Sequence, residues 1–371
     1  MSERIVIKEI CEVYDGPHAT PKKTIDGPVY LGIDAITDDG KINAKDFAHL
    51  SEEDYIKWTK RVTPQYGDIV FSYEATLGRY ALIPKDFYGC LGRRLAIIRN
   101  VSKDIDTLWL YYYFLSPEWK QFIQSKIIKG STVNRISVED FPTYTVPNIS
   151  IKVQRKIANI LSKIDEKIAL NNNINDNLEQ QIKTIFTFQF LQNANTEWKQ
   201  QSLAELSEMY QPKTISGKDL TADGNYFVYG ANGIIGKYNQ YNHSESEIAV
   251  ACRGASCGSI QMTLPFSWIT GNAMVVKPHS DFPYREYLYY YLLAKNPNYL
   301  CSGSAQPQLT RENLTLYSLK VPSTTELNAF ESYAEKVRKI IIKNQQENIE
   351  LSTLRTWLLP MLMNGQAIIS D

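Results

Sequence analysis

Apolar residues recur every three or four positions in two long stretches of the chain, which is the spacing of a coiled-coil helix. The first stretch lies within 154–190, and its recurring positions are Ile157, Leu161, Ile164, Ile168, Asn171, Asn175, Leu178, Ile182 and Ile185. The second stretch lies 173 residues further on, and its positions are Phe330, Ala334, Val337, Ile341, Asn344, Asn348, Leu351, Arg355 and Leu358. We expect Leu354 to replace Arg355 on the apolar side. The pattern predicts two long helices, one a repeat of the other.

Each predicted helix carries two asparagines near the middle of its apolar stripe. If the helices pair antiparallel, Asn171 and Asn175 should lie close to Asn344 and Asn348. A buried asparagine costs stability but fixes the register, because a slip would place an amide against leucine. The alternative is that these asparagines lie at a solvated edge. A helix over 154–190 would be roughly 55 Å long at about 1.5 Å per residue, which suits a spacer of set length.

The segments before the two helices predict a mixed α/β domain that is also repeated. Short apolar runs at 68–71, 80–83 and 95–98 indicate buried strands. Aromatic-rich helices are predicted over 106–128 and 284–293, with core packing as the expected role and base stacking as the alternative. We therefore divide the chain into domains at 1–150 and 193–322 and helices at 151–192 and 323–371. The fold class is α/β with a pseudo-twofold internal repeat.

Composition and charge limit the possible functions. The net charge is zero and five cysteines include no C-x-x-C spacing, so we expect reduced, packed thiols. Neutrality counts against a nucleic-acid binder, although basic residues crowd the stretch 79–135. No apolar run approaches the length of a membrane span and no signal peptide is recognisable, so we expect a cytoplasmic protein.

No catalytic or metal-binding pattern is recognisable. The segment 230–238 approximates a phosphate-binding loop, but Tyr238 stands where Ser or Thr would bind magnesium. The four histidines are scattered, Asn296-Pro297-Asn298 is not the Asn-Pro-Pro-aromatic motif of amino-methyltransferases, and no G-x-G motif follows a strand. The sequence predicts binding and not catalysis.

Several short segments recur in the same order in the two halves of the chain or flank the predicted helices. They are Gly130-Ser-Thr with Ile136-Ser, Val146-Pro147, Gln154, Tyr229-Gly-Ala-Asn-Gly-Ile-Ile-Gly236, Gly303-Ser-Ala-Gln-Pro-Gln308-Leu-Thr and Val321-Pro322. In their order and duplication, these segments resemble the specificity subunits of type I restriction-modification systems over essentially the whole chain. One departure is that Thr325-Glu326-Leu-Asn328 lacks the glutamine usual at the start of the second helix.

The resemblance implies two target-recognition domains joined by two long antiparallel coiled-coil helices. Each domain would read one half of an asymmetric, bipartite site in double-stranded DNA, and the helices would set the gap. The implied partners are two methyltransferase subunits and a nuclease-translocase subunit, which would supply S-adenosylmethionine, ATP and magnesium. This chain would then be non-catalytic and bind no cofactor itself. Positive charge from the partners would offset its neutrality.

Candidate DNA contacts lie in two pairs of loops, where arginine suits guanine, and asparagine or glutamine suits adenine. We expect DNA contacts from Tyr73, Thr76, Arg79, Arg93, Arg94, Ser131, Thr132, Asn134, Arg135, Arg253, Ser256, Ser304, Gln306 and Gln308. Arg79 and Arg253 are expected to play equivalent parts. The alternative for each residue is a structural turn or a surface charge.

Three other functions stay open. One is a specificity subunit of a cutting-and-methylating enzyme outside type I. Another is a fused methyltransferase, which the missing motifs oppose. The third is a coiled-coil adaptor that contacts only protein, which explains the helices but not the two duplicated domains.

Overall fold

A computed structural model describes residues 3–130, 133–303 and 306–366, which form two compact units. The first unit takes in the described residues of Met1–Ala169 and Asn348–Asp371, and the second takes in those of Leu170–Glu347. Each unit therefore contains one α/β domain and part of each long helix. The units divide within the two long helices.

Mixed strands and short helices build the first domain. Its strands are β1 (Arg4–Val6), β2 (Cys11–Asp15), β3 (Thr24–Leu31), β4 (Ala48–His49), β5 (Ile69–Ser72), β6 (Tyr80–Leu82), β7 (Gly89–Leu91), β8 (Leu95–Asn100) and β9 (Thr145–Pro147). One antiparallel sheet has the order β2-β8-β5-β6. A second has the order β4-β3-β7, with β3 and β7 parallel, and β1 pairs with β9.

The helices of the first domain pack aromatic side chains into its core. They are α1 (Ile7–Ile10), α2 (Glu52–Trp58), α3 (Thr107–Leu115) and α4 (Pro117–Ser125). The prediction of a single helix over 106–128 is wrong. Pro117 has no N–H to continue the first helix, and the Ser116 hydroxyl accepts a hydrogen bond from the Trp119 N–H at 3.2 Å to begin the next. Trp109, Tyr112 and Phe114 are at most 1% exposed, which confirms core packing.

The second domain repeats this topology strand for strand. Its elements are β10 (Lys199–Ser202), α6 (Leu203–Leu206), β11 (Ser207–Tyr210), β12 (Tyr226–Gly230), β13 (Gly233–Tyr238), β14 (Ile248–Ala251), β15 (Ile260–Met262), β16 (Trp268–Ile269), β17 (Ala273–Pro278), α7 (Arg285–Ala294), α8 (Arg311–Thr315) and β18 (Ser318–Val321). The sheets have the orders β11-β17-β14-β15 and β13-β12-β16, the strands β12 and β16 are parallel, and β10 pairs with β18.

A long helix follows each domain. After β9 comes α5 (Ile151–Phe186), which continues into a π-helical turn at Thr187–Gln192, and after β18 comes α9 (Thr324–Met363). The Ser323 hydroxyl accepts a hydrogen bond from the Glu326 N–H at 3.3 Å, while the Glu326 carboxylate accepts one from the Ser323 N–H at 3.0 Å. This reciprocal cap fixes the start of α9 without the glutamine of the first copy. No helix in the described ranges is long and apolar enough to cross a membrane.

Within the second unit, the two helices meet through the predicted asparagines. The Asn344 amide donates to Asn175 Oδ1 at 2.8 Å, and the Asn171 amide donates to Glu347 Oε2 at 2.8 Å. Asn171 and Asn175 are 1% and 8% exposed, so they do not lie at a solvated edge. Asn171, which precedes Asn175, pairs with Glu347, which follows Asn344, so the helices run antiparallel here.

Within the first unit, Arg355 and not Leu354 faces the partner helix. Leu354 is 42% exposed, so the expectation that it replaces Arg355 is wrong. The Arg355 side chain is 14% exposed and pairs with Asp165 of α5, Nε to Oδ1, at 3.0 Å. Arginine is compatible with this position because a carboxylate lies opposite, and a leucine would leave that carboxylate unpaired.

Candidate nucleic-acid interface

The first candidate loop of domain 1 joins β5 to β6 and is closed by its own hydrogen bonds. The Ser72 hydroxyl donates to the Thr76 carbonyl oxygen and accepts from the Arg79 N–H at 3.0 Å. Ala75 takes a left-handed backbone with φ of 64°. The loop is therefore a built turn with a defined shape, which is what a rigid recognition surface requires.

The second candidate segment of domain 1 lies directly beside this loop. Arg135 forms isolated antiparallel bridges with both Glu74 and Ile128. The Ile136 N–H donates to the Tyr73 carbonyl oxygen at 2.8 Å. Two segments about 60 residues apart in sequence thus form one edge, on which Arg135 is exposed.

Domain 2 builds the same edge from different residues. Gln308 forms bridges with Arg253 and Ser302, and the Leu309 N–H donates to the Cys252 carbonyl oxygen at 2.9 Å. Arg253, Gln306 and Gln308 are exposed. Each domain therefore presents an exposed arginine at this edge. In domain 1 it is Arg135, from the second candidate segment, and in domain 2 it is Arg253, from the loop.

This correspondence changes which arginines are equivalent. The bridges place Arg253 at the position of Glu74, and Gln308 at the position of Arg135. Arg79, the last residue of the β5–β6 loop, does not occupy the position of Arg253, and an equivalent part for the two arginines in DNA binding stays a prediction. Arg135 is the arginine of domain 1 that lies beside the equivalent position.

Arg79 is held by contacts within its own domain. Its Nε donates to Asp38 Oδ1 at 2.7 Å and its Nη1 donates to the Ile36 carbonyl oxygen at 2.9 Å. The side chain is 23% exposed. These bonds use the Nε hydrogen and one Nη1 hydrogen of Arg79, so a DNA contact by this side chain, which stays a prediction, would use its remaining N–H groups. Among the residues that the structure describes, none forms a side-chain hydrogen bond or ion pair with Arg253.

Arg93 and Arg94, which lie between β7 and β8, and Tyr73, which follows β5, differ in exposure. Arg94 has a positive φ of 74° and its Nε donates to Glu74 Oε2 at 3.0 Å, whereas Arg93 is exposed. Tyr73 is 8% exposed, and burial together with the Asp15 carboxylate raises the pKa of its hydroxyl. Tyr73 therefore packs inside the domain, and a DNA contact by its side chain stays a prediction.

The remaining candidates are placed as follows. Asn134 is exposed, and Thr76 and Ser256 are half-buried. Ser131, Thr132 and Ser304 lie outside the described residues. The structure thus brings together most of the candidate set in each domain, and their roles in binding DNA stay predictions.

Glu74 and one pair of cysteines were missed by the sequence reasoning. Glu74 connects Arg94 to the bridge with Arg135, and only the structure shows these neighbours. Cys257 and Cys301 form a disulfide, with Cα atoms 6.6 Å apart, so the expectation that all five cysteines are reduced is wrong for these two. Their 44-residue separation gave no signal in the sequence.

A polar cluster joins the aromatic helix of domain 1 to the long helices. The Tyr112 hydroxyl of α3 donates to Asp165 Oδ2 at 2.7 Å, and the Arg355 guanidinium lies 5.9 Å from the Tyr112 ring centroid. Burial raises the pKa of the Tyr112 hydroxyl, so it remains a donor. The cluster holds the domain on both helices of its unit.

The second unit has a similar cluster. The Tyr290 hydroxyl of α7 donates to Glu179 Oε2 at 2.9 Å, and Arg338 of α9 pairs with Glu179 and with the buried Glu286 at 3.1 Å. Burial raises the pKa of Glu286, and the neighbouring Arg338 opposes that shift. In both units a carboxylate of α5 pairs with an arginine of α9, as Asp165 with Arg355 and Glu179 with Arg338. These ion pairs favour the pairing of α5 with α9 over the pairing of two identical helices.

Comparison with protein families gives a match over most of the chain. The model for the type I restriction modification DNA specificity domain matches residues 2–180 and again residues 195–352. These two matches correspond to the two structural repeats, each a domain with its long helix.

Individual relatives are more distant. The chain is 26% identical over 277 residues to the specificity subunit of the type I restriction enzyme EcoprrI of Escherichia coli, covering 69% of this chain and 67% of that protein. It is 21% identical over 361 residues to the MjaIX specificity subunit of Methanocaldococcus jannaschii, covering 87% and 82%. A crystal structure of the type I restriction-modification system S subunit from M. genitalium aligns with a TM-score of 0.61 at 16% identity, over 99% and 96% of the two chains. That likeness shows a shared fold.

Proposed function

Because the chain belongs to the type I restriction-modification DNA specificity family, we propose that its two domains each read one half of a bipartite site in double-stranded DNA. The observation that carries the proposal is the edge that both domains build alike from different residues. Glu74 and Arg135 form it in domain 1, and Arg253 and Gln308 form it in domain 2. Equal placement supports equal roles, and unequal side chains support two dissimilar half-sites.

Arginine and glutamine at this edge suit base recognition in the major groove. Arginine can donate two hydrogen bonds to guanine, and glutamine can pair with adenine through its amide. Arg135 and Arg253 are exposed, and neither forms an ion pair with a residue that the structure describes, so base contacts by these side chains break no such pair. We assign base reading first to these two side chains and treat the neighbouring polar residues as phosphate or base contacts.

The two long helices are proposed to set the gap between half-sites. A helix of 36 residues is about 54 Å long and one of 40 residues is about 60 Å long. One turn of DNA is about 34–36 Å, which places two half-sites on the same face of the duplex. The paired asparagines fix the helix register, so the length is set by sequence and not by sliding.

The outer faces of the helices are proposed to bind the methyltransferase subunits. In the second unit, Leu170, Ile174, Tyr333 and Ile340 are between 37% and 54% exposed although they lie on long helices. Apolar side chains on an outer helix face are suited to a partner helix. The partners would supply S-adenosylmethionine, ATP and magnesium, and this chain would act in the cytoplasm as a non-catalytic subunit.

Sequencing methylated bases in host DNA, with and without this gene, tests the proposal. We expect one motif to lose methylation without the gene, and that motif should consist of two dissimilar half-sites separated by a fixed gap. Restoring the intact gene should restore the motif. An unchanged methylation pattern would support the protein-only adaptor, and a palindromic motif would contradict the two unlike readers.

A further inference from the structure

Two cysteines of domain 2 lie in the segments that form its DNA-reading edge. Cys257 belongs to the loop that begins at Arg253, and Cys301 directly precedes Ser302, which bridges to Gln308. Their Cα separation of 6.6 Å is within the range that a disulfide spans. We propose that Cys257 and Cys301 are an oxidative modification site that fixes the DNA-reading edge of domain 2, an inference that rests on the proposed function.

The backbone around the cysteines brings the segments close together. The Cys257 N–H donates to the Gly254 carbonyl oxygen at 3.0 Å, and the Gly254 N–H donates to the Pro307 carbonyl oxygen at 3.1 Å. Gly258 has a φ of 84°, and a Cβ there would lie 2.8 Å from the Asn298 Cα. Only glycine allows this approach, so the chain is built for close contact between the two cysteine-bearing segments.

The other cysteines are poor competitors for oxidation. Cys11, Cys90 and Cys252 are buried free thiols. Burial raises the pKa of the Cys11 and Cys90 thiols to about 12 and also raises that of Cys252, which disfavours the reactive thiolate.

Domain 1 supplies an internal control. Leu77 occupies the place of Cys257, and Ile127 precedes the bridging Ile128 as Cys301 precedes Ser302. Both are apolar side chains that pack on the core of domain 1. The same edge is therefore supported without a covalent bond in one domain and with one in the other.

The reaction is a two-electron oxidation by a peroxide. Two thiols lose two protons and two electrons to form the sulfur–sulfur bond, and hydrogen peroxide takes them up to give two waters. Thiol reductants reverse the step. The bond holds the two segments together before DNA arrives, so the oxidised form is pre-organised and should bind its half-site more tightly.

The test compares reduced and peroxide-treated protein in the assembled methyltransferase complex. Thiol titration of this subunit in denaturant should fall from five to three, and mass analysis should identify the Cys257–Cys301 pair. With DNA randomised in one half-site at a time, oxidation should tighten recognition of one half by at least about fivefold, the lower end of typical coupling between sites. Preferences in the other half should stay unchanged.

Variants separate this inference from the proposed function. Cys257→Leu with Cys301→Ile copies domain 1 and should abolish the response to oxidation, and Cys257→Ser with Cys301→Ser should do the same if the first variant fails to fold. A titre of five thiols after oxidation, or an equal response in both halves, would overturn the inference alone. Loss of every half-site preference in both redox states would instead overturn the proposed function together with its redox control.

Discussion

Removing one heptad from each long helix should shorten the gap between the two DNA half-sites. The matched deletions are 167–173 in α5 and 346–352 in α9. They remove Asn171 together with its partner Glu347, and they keep the Asn344–Asn175 hydrogen bond. Seven residues preserve the heptad pattern on both sides of each junction, so the remaining apolar side chains can still meet.

The expected size of the change follows from helix geometry. Seven residues at about 1.5 Å each shorten a helix by about 10 Å. At about 3.4 Å per base pair, that distance corresponds to about three base pairs. Three base pairs also turn one half-site by roughly 100° at about 10–10.5 base pairs per turn, whereas a heptad turns the helix by only about 20°. We therefore expect a shorter preferred gap and a weaker best complex.

The assay is binding of the assembled complex to DNAs that keep both half-sites and vary the gap one base pair at a time. Deleting 167–173 alone serves as the control. With α9 intact, the shortened α5 can keep either the Asn175–Asn344 contact or the Asp165–Arg355 ion pair, but not both at once. If the double deletion gave a folded, active complex with the original preferred gap, the helices could not be the spacer.

Three further predictions concern single side chains. Arg355→Ala should lower the free energy of unfolding by about 2 kcal/mol because Asp165 loses its ion pair. In chemical denaturation, the double variant of Arg355→Ala with Asp165→Asn should lose less than the sum of the two single variants, and a loss equal to that sum would exclude coupling. Burial raises the pKa of Glu331 to about 7, so its ionisation lowers the free energy of unfolding as pH rises from about 4.5 to 7. Glu331→Gln should remove up to about 3 kcal/mol of this pH dependence, measured by denaturation across that range. An unchanged slope of stability against pH would contradict the assignment. Arg79→Ala should reduce DNA affinity less than Arg253→Ala in titrations of the complex, because Arg79 is held within its domain; a larger loss for Arg79 would reverse the assignment.

The long helices and the repeat could be predicted because their signal is local and periodic. The spacing of apolar residues predicts the helices, and the constant offset of 173 residues predicts the second domain from the first. Antiparallel order predicts that Asn171 and Asn175 lie close to Asn344 and Asn348, and the structure pairs Asn175 with Asn344. The helix periodicity depends on neighbours within a few turns, and the repeat and the asparagine positions follow from comparing the two helical stretches, so both signals can be identified from the sequence.

Contacts between distant segments could not be predicted in this way. Arg355 has the appearance of an error in an apolar stripe until Asp165 is found opposite it. Arg79 has the appearance of a free base reader until Asp38, 41 residues earlier, is found beside it. The loop positions of the candidates were foreseeable from turn residues, but their exposure and partners depend on tertiary packing.

Binding to DNA libraries randomised in one half-site at a time tests the two-reader account most directly. The assembled complex would be compared with Arg135→Ala and Arg253→Ala, and with Lys199→Ala as a control that removes an exposed charge from β10. Each arginine variant should relax preferences in a different half by about 1–3 kcal/mol, and the two losses should add because the sites share no partners. A phosphate contact would instead weaken all sequences alike and reduce the salt slope by about one. If either variant changed both halves equally, the two domains could not be independent readers.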